Sequence, residues 1–219
     1  MLGRQILFLI EKELRSEWKQ KYAFGGMLLY VVSTVFICRQ CFDVISDPLT
    51  WGALFWIILL FAAVNAAGRS FIQESKGRLL YLYTLASPEA VILSRTIYNV
   101  ILMIVLSLTC FGFYAILLGD PVRNNGLFLV TIIFGSMGLA CTLTMVSAIA
   151  SKTNNNFTLL AILGFPIMLP LLMTLIRLTM NAISKPDWLM NIKYLGALLG
   201  LNLIVVTLSW LLFPYLWRD

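Results

Sequence analysis

Six apolar runs, each near the length a helix needs to cross a bilayer, restrict this chain to one class of fold. A ~30 Å hydrocarbon core takes about 20 predominantly apolar residues of helix. The stretches 27–45, 51–68, 95–118, 127–150, 157–180 and 194–217 are runs of this kind. Of 219 residues, 60% are hydrophobic and 12% charged, where soluble globular proteins carry roughly a quarter charged. Mean hydropathy is +0.90. The chain therefore reads as an all-α integral membrane protein with six transmembrane helices, forming a single membrane domain over residues 1–219.

Residues 1–22 set Ile6, Leu7, Ile10, Leu14 and Trp18 against Arg4, Glu11, Lys12, Arg15 and Lys19, the pattern of an amphipathic helix lying along a membrane surface. The charges from Glu11 to Lys21 follow directly on Ile6 to Ile10, which is not the order of a cleaved signal, so no processing is expected. Gly25-Gly26 is expected to break the chain before the first span, near whose far end Arg39 and Asp43 can pair. Ser46-Asp47-Pro48 turns it, and Trp51 and Trp56 read as membrane-interface aromatics at the start of the second span. Gly119-Asp120-Pro121 ends the third. Gly135, Gly138 and neighbouring small residues mark the fourth span for close packing against another helix. Pro166 and Pro170 each remove a backbone donor and are expected to bend or break the fifth. In hydrocarbon the freed carbonyls need partners, which points that break at the bundle interior or a cavity, with Gly164 allowing local unwinding. Arg177 lies beyond it, toward the outer end, either snorkelling or meeting an anionic substrate. Asn181–Asn191 reads as a far-side loop or short interfacial helix.

The interval 71–94 is the long polar-bearing stretch. Glu74 and Arg78, one turn apart, can pair, and Leu79, Leu82 and Leu85 form an apolar stripe on a short surface helix. Ser87-Pro88-Glu89 reads as a second helix start, with Ser87 as N-cap and Pro88 where its missing N–H costs nothing. The helix from Pro88 runs unbroken to about Leu118, longer than the core it crosses, so Glu89 and Arg95 are expected outside the lipid. Orientation follows from the basic residues. Arg4, Lys12, Arg15, Lys19, Lys21, Arg69, Lys76, Arg78, Arg95, Lys152 and Arg218 fall on one side, against Arg39, Arg123, Arg177, Lys185 and Lys193 on the other. By the positive-inside rule both termini face the cytoplasm, and the net charge of +6 reflects this distribution rather than nucleic-acid binding.

Catalytic groups are scarce. The absence of histidine removes Ser–His and Cys–His dyads, HExxH metal sites and a histidine ligand to haem. No phosphate-binding glycine motif occurs, so no nucleotide site is expected in this chain. Phe134-Gly135-Ser136-Met137-Gly138 resembles a nucleophile elbow superficially, but without a base it reads as helix packing. Cys38-Arg39-Gln40-Cys41 is a C-x-x-C near the outer end of the first span; packing is the preferred reading over a redox or ligand role. Cys110 and Cys141 lie in apolar runs, so no disulfide scaffold is expected.

The motifs Glu74-x-x-Gly77-x-Leu79-x-x-Leu82-x-x-Leu85-x-x-Pro88, Ile92-x-x-Arg95-x-x-x-Asn99 and Leu159-Leu160-x-Ile162-Leu163-x-x-Pro166-x-x-x-Pro170 follow one another in an order that resembles the CcmB family, the membrane subunit of the haem-exporter-type ABC transporter of bacterial cytochrome c maturation. The likeness covers essentially the whole chain, departing from the family pattern at Leu80, where an acidic residue is expected, and at Arg95, where lysine is commoner. It implies an ABC-2-type permease fold in the bacterial inner membrane, without catalysis of its own. ATP would be hydrolysed by a separate cytoplasmic ABC ATPase subunit contacting Glu74, Gly77, Arg78, Leu79, Leu82, Leu85 and Pro88 on a cytoplasmic coupling segment over 71–94. Further implied partners are other cytochrome c maturation membrane subunits, a haem chaperone and a second copy of the chain. Haem is the implied cargo, and Pro166, Pro170 and Arg177 are candidates for the translocation or dimer interface. An ABC permease for a lipid, drug or polysaccharide, a non-transporting assembly scaffold and, more remotely, a membrane-embedded enzyme are the alternatives.

Overall fold

The computed structural model describes residues 2–19, 21–42, 45, 47–71, 87–152, 156–184 and 188–218, and among these every regular element is an α-helix. α1 (Leu2–Lys19) precedes six longer helices: α2 (Lys21–Cys41), α3 (Pro48–Phe71), α4 (Pro88–Leu118), α5 (Asn125–Ala150), α6 (Asn156–Ser184) and α7 (Trp188–Arg218). Each of the six contains a stretch long and apolar enough to cross a membrane. Lipid offers nothing to an unpaired backbone group, and a helix satisfies its own. The chain is an all-α integral membrane protein.

Helix α5 forms the centre, packing against α3, α4, α6 and α7. Of its span 67% is buried inside the protein, against 17% for α2 and 22% for α7. Small side chains make this position tenable. A Cβ placed on Gly135 would lie 2.5 Å from the Trp56 ring and 2.7 Å from Leu175 Cδ2, and one on Gly138 would lie 2.6 Å from Leu171 Cδ1 and 2.7 Å from Asn202 Oδ1. The close packing read from the glycines is therefore realised against three helices, α3, α6 and α7.

Polar side chains join the spans across these contacts. Trp56 Nε1 donates to Thr179 Oγ1 at 2.9 Å, Asn99 Nδ2 to Thr144 Oγ1 at 2.8 Å, Ser147 Oγ to Ala67 O at 2.7 Å, and Asn202 Nδ2 to Phe134 O at 3.1 Å. Ser107 and Ser136 share a hydrogen bond between α4 and α5, which accounts for the serine of the elbow-like segment. Interhelical bonds of this kind contribute only about 0.6 kcal/mol each on average. Their main effect is to fix which turn faces which.

Several element ends differ from expectation. Gly25-Gly26 does not interrupt the chain: α2 begins at Lys21 and runs through both glycines. A glycine pair only weakens a helix, by about 1 kcal/mol each, and the following apolar turns outweigh that. At its other end α2 stops at Cys41, where Arg39 Nη1 donates to Phe42 O at 3.2 Å; Asp43 lies outside the described residues. Asp47 caps α3, its carboxylate accepting from Thr50 N at 3.0 Å and Thr50 Oγ1 at 2.6 Å, so that helix starts at Pro48. Gly119, with φ 86°, ends α4 in a conformation few side chains tolerate. The loop after it is pinned to α6, with Arg123 N and Asn124 N both donating to Ala182 O. Over Asn181–Asn191, expected as a loop or short interfacial helix, α6 continues to Ser184 and α7 begins at Trp188.

Trp51 and Trp56 do not face outward, as side chains of an aromatic belt would. Both are fully buried, packed with Phe55, Tyr114 and Phe128 in an aromatic cluster. Each indole N–H has found an internal acceptor, Trp51 on Gly119 O at 3.2 Å and Trp56 on Thr179, which removes the polar handle that draws tryptophan to headgroups.

This packing predicts opposite responses at two glycines. Gly135→Val, which must displace the Trp56 ring and Leu175, should destabilise the chain by about 1–3 kcal/mol, as overpacking does. Gly112→Ala, with nothing within 4 Å of the new Cβ, should leave it unchanged or slightly more stable. Thermal unfolding in mild detergent compares them, and equal midpoints would contradict the central role of α5.

Candidate functional site

The start of α4 and the end of α3 meet beneath α1. Ser87 is extended (φ −69°, ψ 146°), its Oγ accepts from Ala90 N at 3.4 Å, Pro88 occupies the first helical position and Glu89 the first turn. The backbone thus adopts the capping read from Ser87-Pro88-Glu89. Ser87 Oγ also donates to Gln5 Oε1 at 3.4 Å, tying this helix start to α1.

Arg95, two turns further on, is only 3% exposed, and its guanidinium carbon lies 4.2 Å from the centroid of the Phe71 ring. Glu13 of α1 interacts with it electrostatically. Around them Leu9, Phe71, Ala90, Val91, Ile92, Ala148 and Phe213 form one apolar cluster, in which the Phe71 and Phe213 rings are 5.7 Å apart. A buried cation needs compensation, and the ring face of Phe71 supplies part of it. The structure encloses Arg95 within the protein, because α1 packs across the first turns of α4. Phe71 and Glu13 escaped sequence reasoning, since they sit on other helices and no periodicity links them to Arg95.

Both edges of the 72–86 interval, Phe71 and Ser87, consequently belong to one packed junction with α1. Of the coupling residues expected from the sequence, Pro88 is described there; Glu74, Gly77, Arg78, Leu79, Leu82 and Leu85 lie outside the described residues. On α1 itself Ile6 and Leu9 pack inward, whereas Leu7 and Phe8 are each 70% exposed.

The second candidate lies on α6. This helix continues through Pro166 and Pro170 without a break. Both prolines lie on its exposed side with Ile162, Phe165, Leu169 and Met173, while Gly164, Met168, Leu171, Leu175 and Leu178 face α5 and its neighbours. Of the bend or break expected, a break does not occur, and the two prolines do not face the bundle interior. Packing along the opposite face holds the helix together despite two missing donors. Gly164 is used for that packing, not for unwinding. The Pro170 carbonyl accepts Thr174 Oγ1 at 2.8 Å. Arg177 continues the proline stripe toward the end where α6 meets the 119–124 loop, and it opens into a cleft of about 530 Å³ with Leu49, Met173, Ile176, Met180, Asn181 and Tyr194. The structure thus aligns Pro166, Pro170 and Arg177 on one face and leaves Pro88 to the α1 junction. Cys38 and Cys41 are free thiols, Cys38 half-buried against the core and Cys41 exposed.

The profile of the CcmB protein family matches residues 4–213, nearly the whole chain. The chain belongs to the CcmB family. No curated protein matches it. As a CcmB-family chain it is a multi-pass inner-membrane component of a haem-exporter-type ABC system, and the match spans both the α1 junction and the proline-bearing α6.

The junction predicts energetic coupling between Arg95 and Phe71. Arg95→Met and Phe71→Leu should each destabilise the chain, and the double variant should lose less than their sum by about 0.5–2 kcal/mol, the range of a desolvated cation–π contact. A double-mutant cycle by unfolding in mild detergent measures it; strict additivity would show that the stacking contributes nothing.

Proposed function

We propose that this CcmB-family chain is a permease subunit without catalytic activity of its own, coupling ATP hydrolysis by a cytoplasmic ABC ATPase to conformational change in the membrane during haem handling for c-type cytochrome maturation. Both termini face the cytoplasm, and the segment 71–94 docks on the ATPase through Leu79, Leu82 and Leu85, flanked by Glu74, Gly77, Arg78 and Pro88. A second copy of the chain, other maturation subunits and a haem chaperone complete the assembly. The single observation that carries this reading is the junction holding both edges of that segment. A push delivered between Phe71 and Ser87 reaches α3 and α4 directly, and α1 braces them. Such a contact can move packed helices as rigid bodies, the usual way a switch is transmitted.

The face carrying Pro166, Pro170 and Arg177 is the surface we assign to the dimer or translocation interface. Prolines at an exposed face keep two backbone carbonyls, those of Ile162 and Pro166, free of their helical partners, and such groups are better met by protein than by lipid.

One assay tests both elements. Burying a leucine anchor is worth about 1.5–3 kcal/mol, so Leu82→Asp should weaken ATPase co-purification about tenfold or more while membrane abundance stays normal. Pro166→Ala combined with Pro170→Ala should keep the ATPase bound yet lower cytochrome c maturation. Undiminished co-purification by the first variant, or full maturation by the second, would remove the corresponding element.

A further inference from the structure

The cleft beside Arg177 has a volume of about 530 Å³, and its lining is divided in chemistry. Among the described lining residues Leu49, Met173, Ile176 and Met180 are apolar, Asn181 and Tyr194 can hydrogen-bond, and Arg177 carries the charge. Among the described residues no carboxylate lines it and no ion pair engages Arg177. Asn181 is positioned by donating its Nδ2 to Asn191 Oδ1 at 2.8 Å. A cleft of this volume accommodates part of a large ligand, and this one offers a cation at the rim of an apolar trough.

Depth in the membrane selects among anionic amphiphiles. The 29 residues of α6 extend about 43 Å at 1.5 Å per residue, so in a ~30 Å core roughly 7 Å would project at each side if the helix were centred. Arg177 stands seven residues before the last residue of α6, Ser184, hence about 10 Å from that end. Its backbone is then a few ångströms inside the hydrocarbon edge, and its long side chain reaches the headgroup level. Tyr194 is the kind of side chain that settles at the same level. A phosphate there could accept two parallel N–H bonds from the guanidinium, and methionines accommodate an irregular acyl chain.

We propose that this cleft is a site for one phospholipid, its phosphate held by Arg177 and an acyl chain lying along Leu49, Met173, Ile176 and Met180. The occupant follows from charge complementarity, from depth and from the exposure of Leu49, Met173 and Arg177 on the outside of the chain. The inference goes beyond the proposed function and rests only on the helices spanning the membrane. A lipid seated there fills the surface between α3, α6 and α7 at the end of the proline-bearing face, so its presence would bear on how that face meets another protein.

The test uses the full chain, purified with its partner subunits in mild detergent and stripped of lipid. It is then exposed to dioleoyl phosphatidylglycerol or to dioleoylglycerol, which has the same chains without the phosphate, and retained molecules are counted by native mass spectrometry. The wild-type chain should retain phosphatidylglycerol and not dioleoylglycerol. Arg177→Gln should weaken retention about tenfold or more, as loss of a charged hydrogen-bond partner does, and Arg177→Lys should restore part of it. Met180→Trp, which fills the trough and leaves the charge in place, should also displace the lipid, so the proposal stays testable if Arg177→Gln does not fold. Equal retention of the two lipids, wild-type retention by Arg177→Gln, or a carboxylate-bearing cargo or partner segment cross-linking to the cleft in place of lipid would overturn it.

Discussion

The close approach of α3, α6 and α7 to Gly135 and Gly138 on α5 is the contact on which the rest of the bundle depends. Lipid tails are as apolar as leucine, so burying leucine against leucine gains little inside a membrane. What distinguishes one packing from another is proximity and polar pairing. Where α5 has no side chain, Trp56, Leu171, Leu175 and Asn202 occupy the space, and the polar atoms of Trp56 and Asn202 then reach Thr179 and Phe134 O. The Asn202 side-chain oxygen is left buried without a hydrogen bond among the described residues, pressed toward Gly138. That is the cost at which so short a helix-to-helix distance is held.

Because the centre is fixed in this way, change can be concentrated at the ends. At the α1 end, Phe71, Arg95 and Glu13 bring three helices together around one cation, and the interval between α3 and α4 begins and finishes in that patch. A buried charge with specific partners has few acceptable positions. Displacing either helix by a turn would separate Arg95 from Phe71 and leave the cation inside an apolar cluster. The junction therefore ties the end of α3 to the start of α4 and to α1.

Spans were legible in the sequence because their signal is local: length and hydropathy along a run. So were the capping at Ser87-Pro88 and the crowding at Gly135 and Gly138, each a property of a few adjacent residues. Features that depend on partners were not. Trp51 and Trp56 look like interfacial tryptophans until Gly119 O and Thr179 Oγ1 are found opposite them. Gly25-Gly26 and the pair Pro166 and Pro170 weaken a helix locally, but whether it breaks depends on the packing of its other turns. That Arg95 is enclosed shows only once α1 is laid over it. In each case the sequence carries the propensity, and a contact from another helix decides the outcome.

The role proposed for this chain is to transmit work done by a separate ATP-hydrolysing subunit. It is tested most directly by purifying the wild-type chain from its native membrane in mild detergent and measuring ATP hydrolysis and subunit composition across the eluted peak. Our account predicts an ABC ATPase co-eluting in fixed ratio with the chain, with ATP hydrolysis following that ratio. Elution of the chain free of any nucleotide-hydrolysing subunit, from membranes in which it is active, would contradict it.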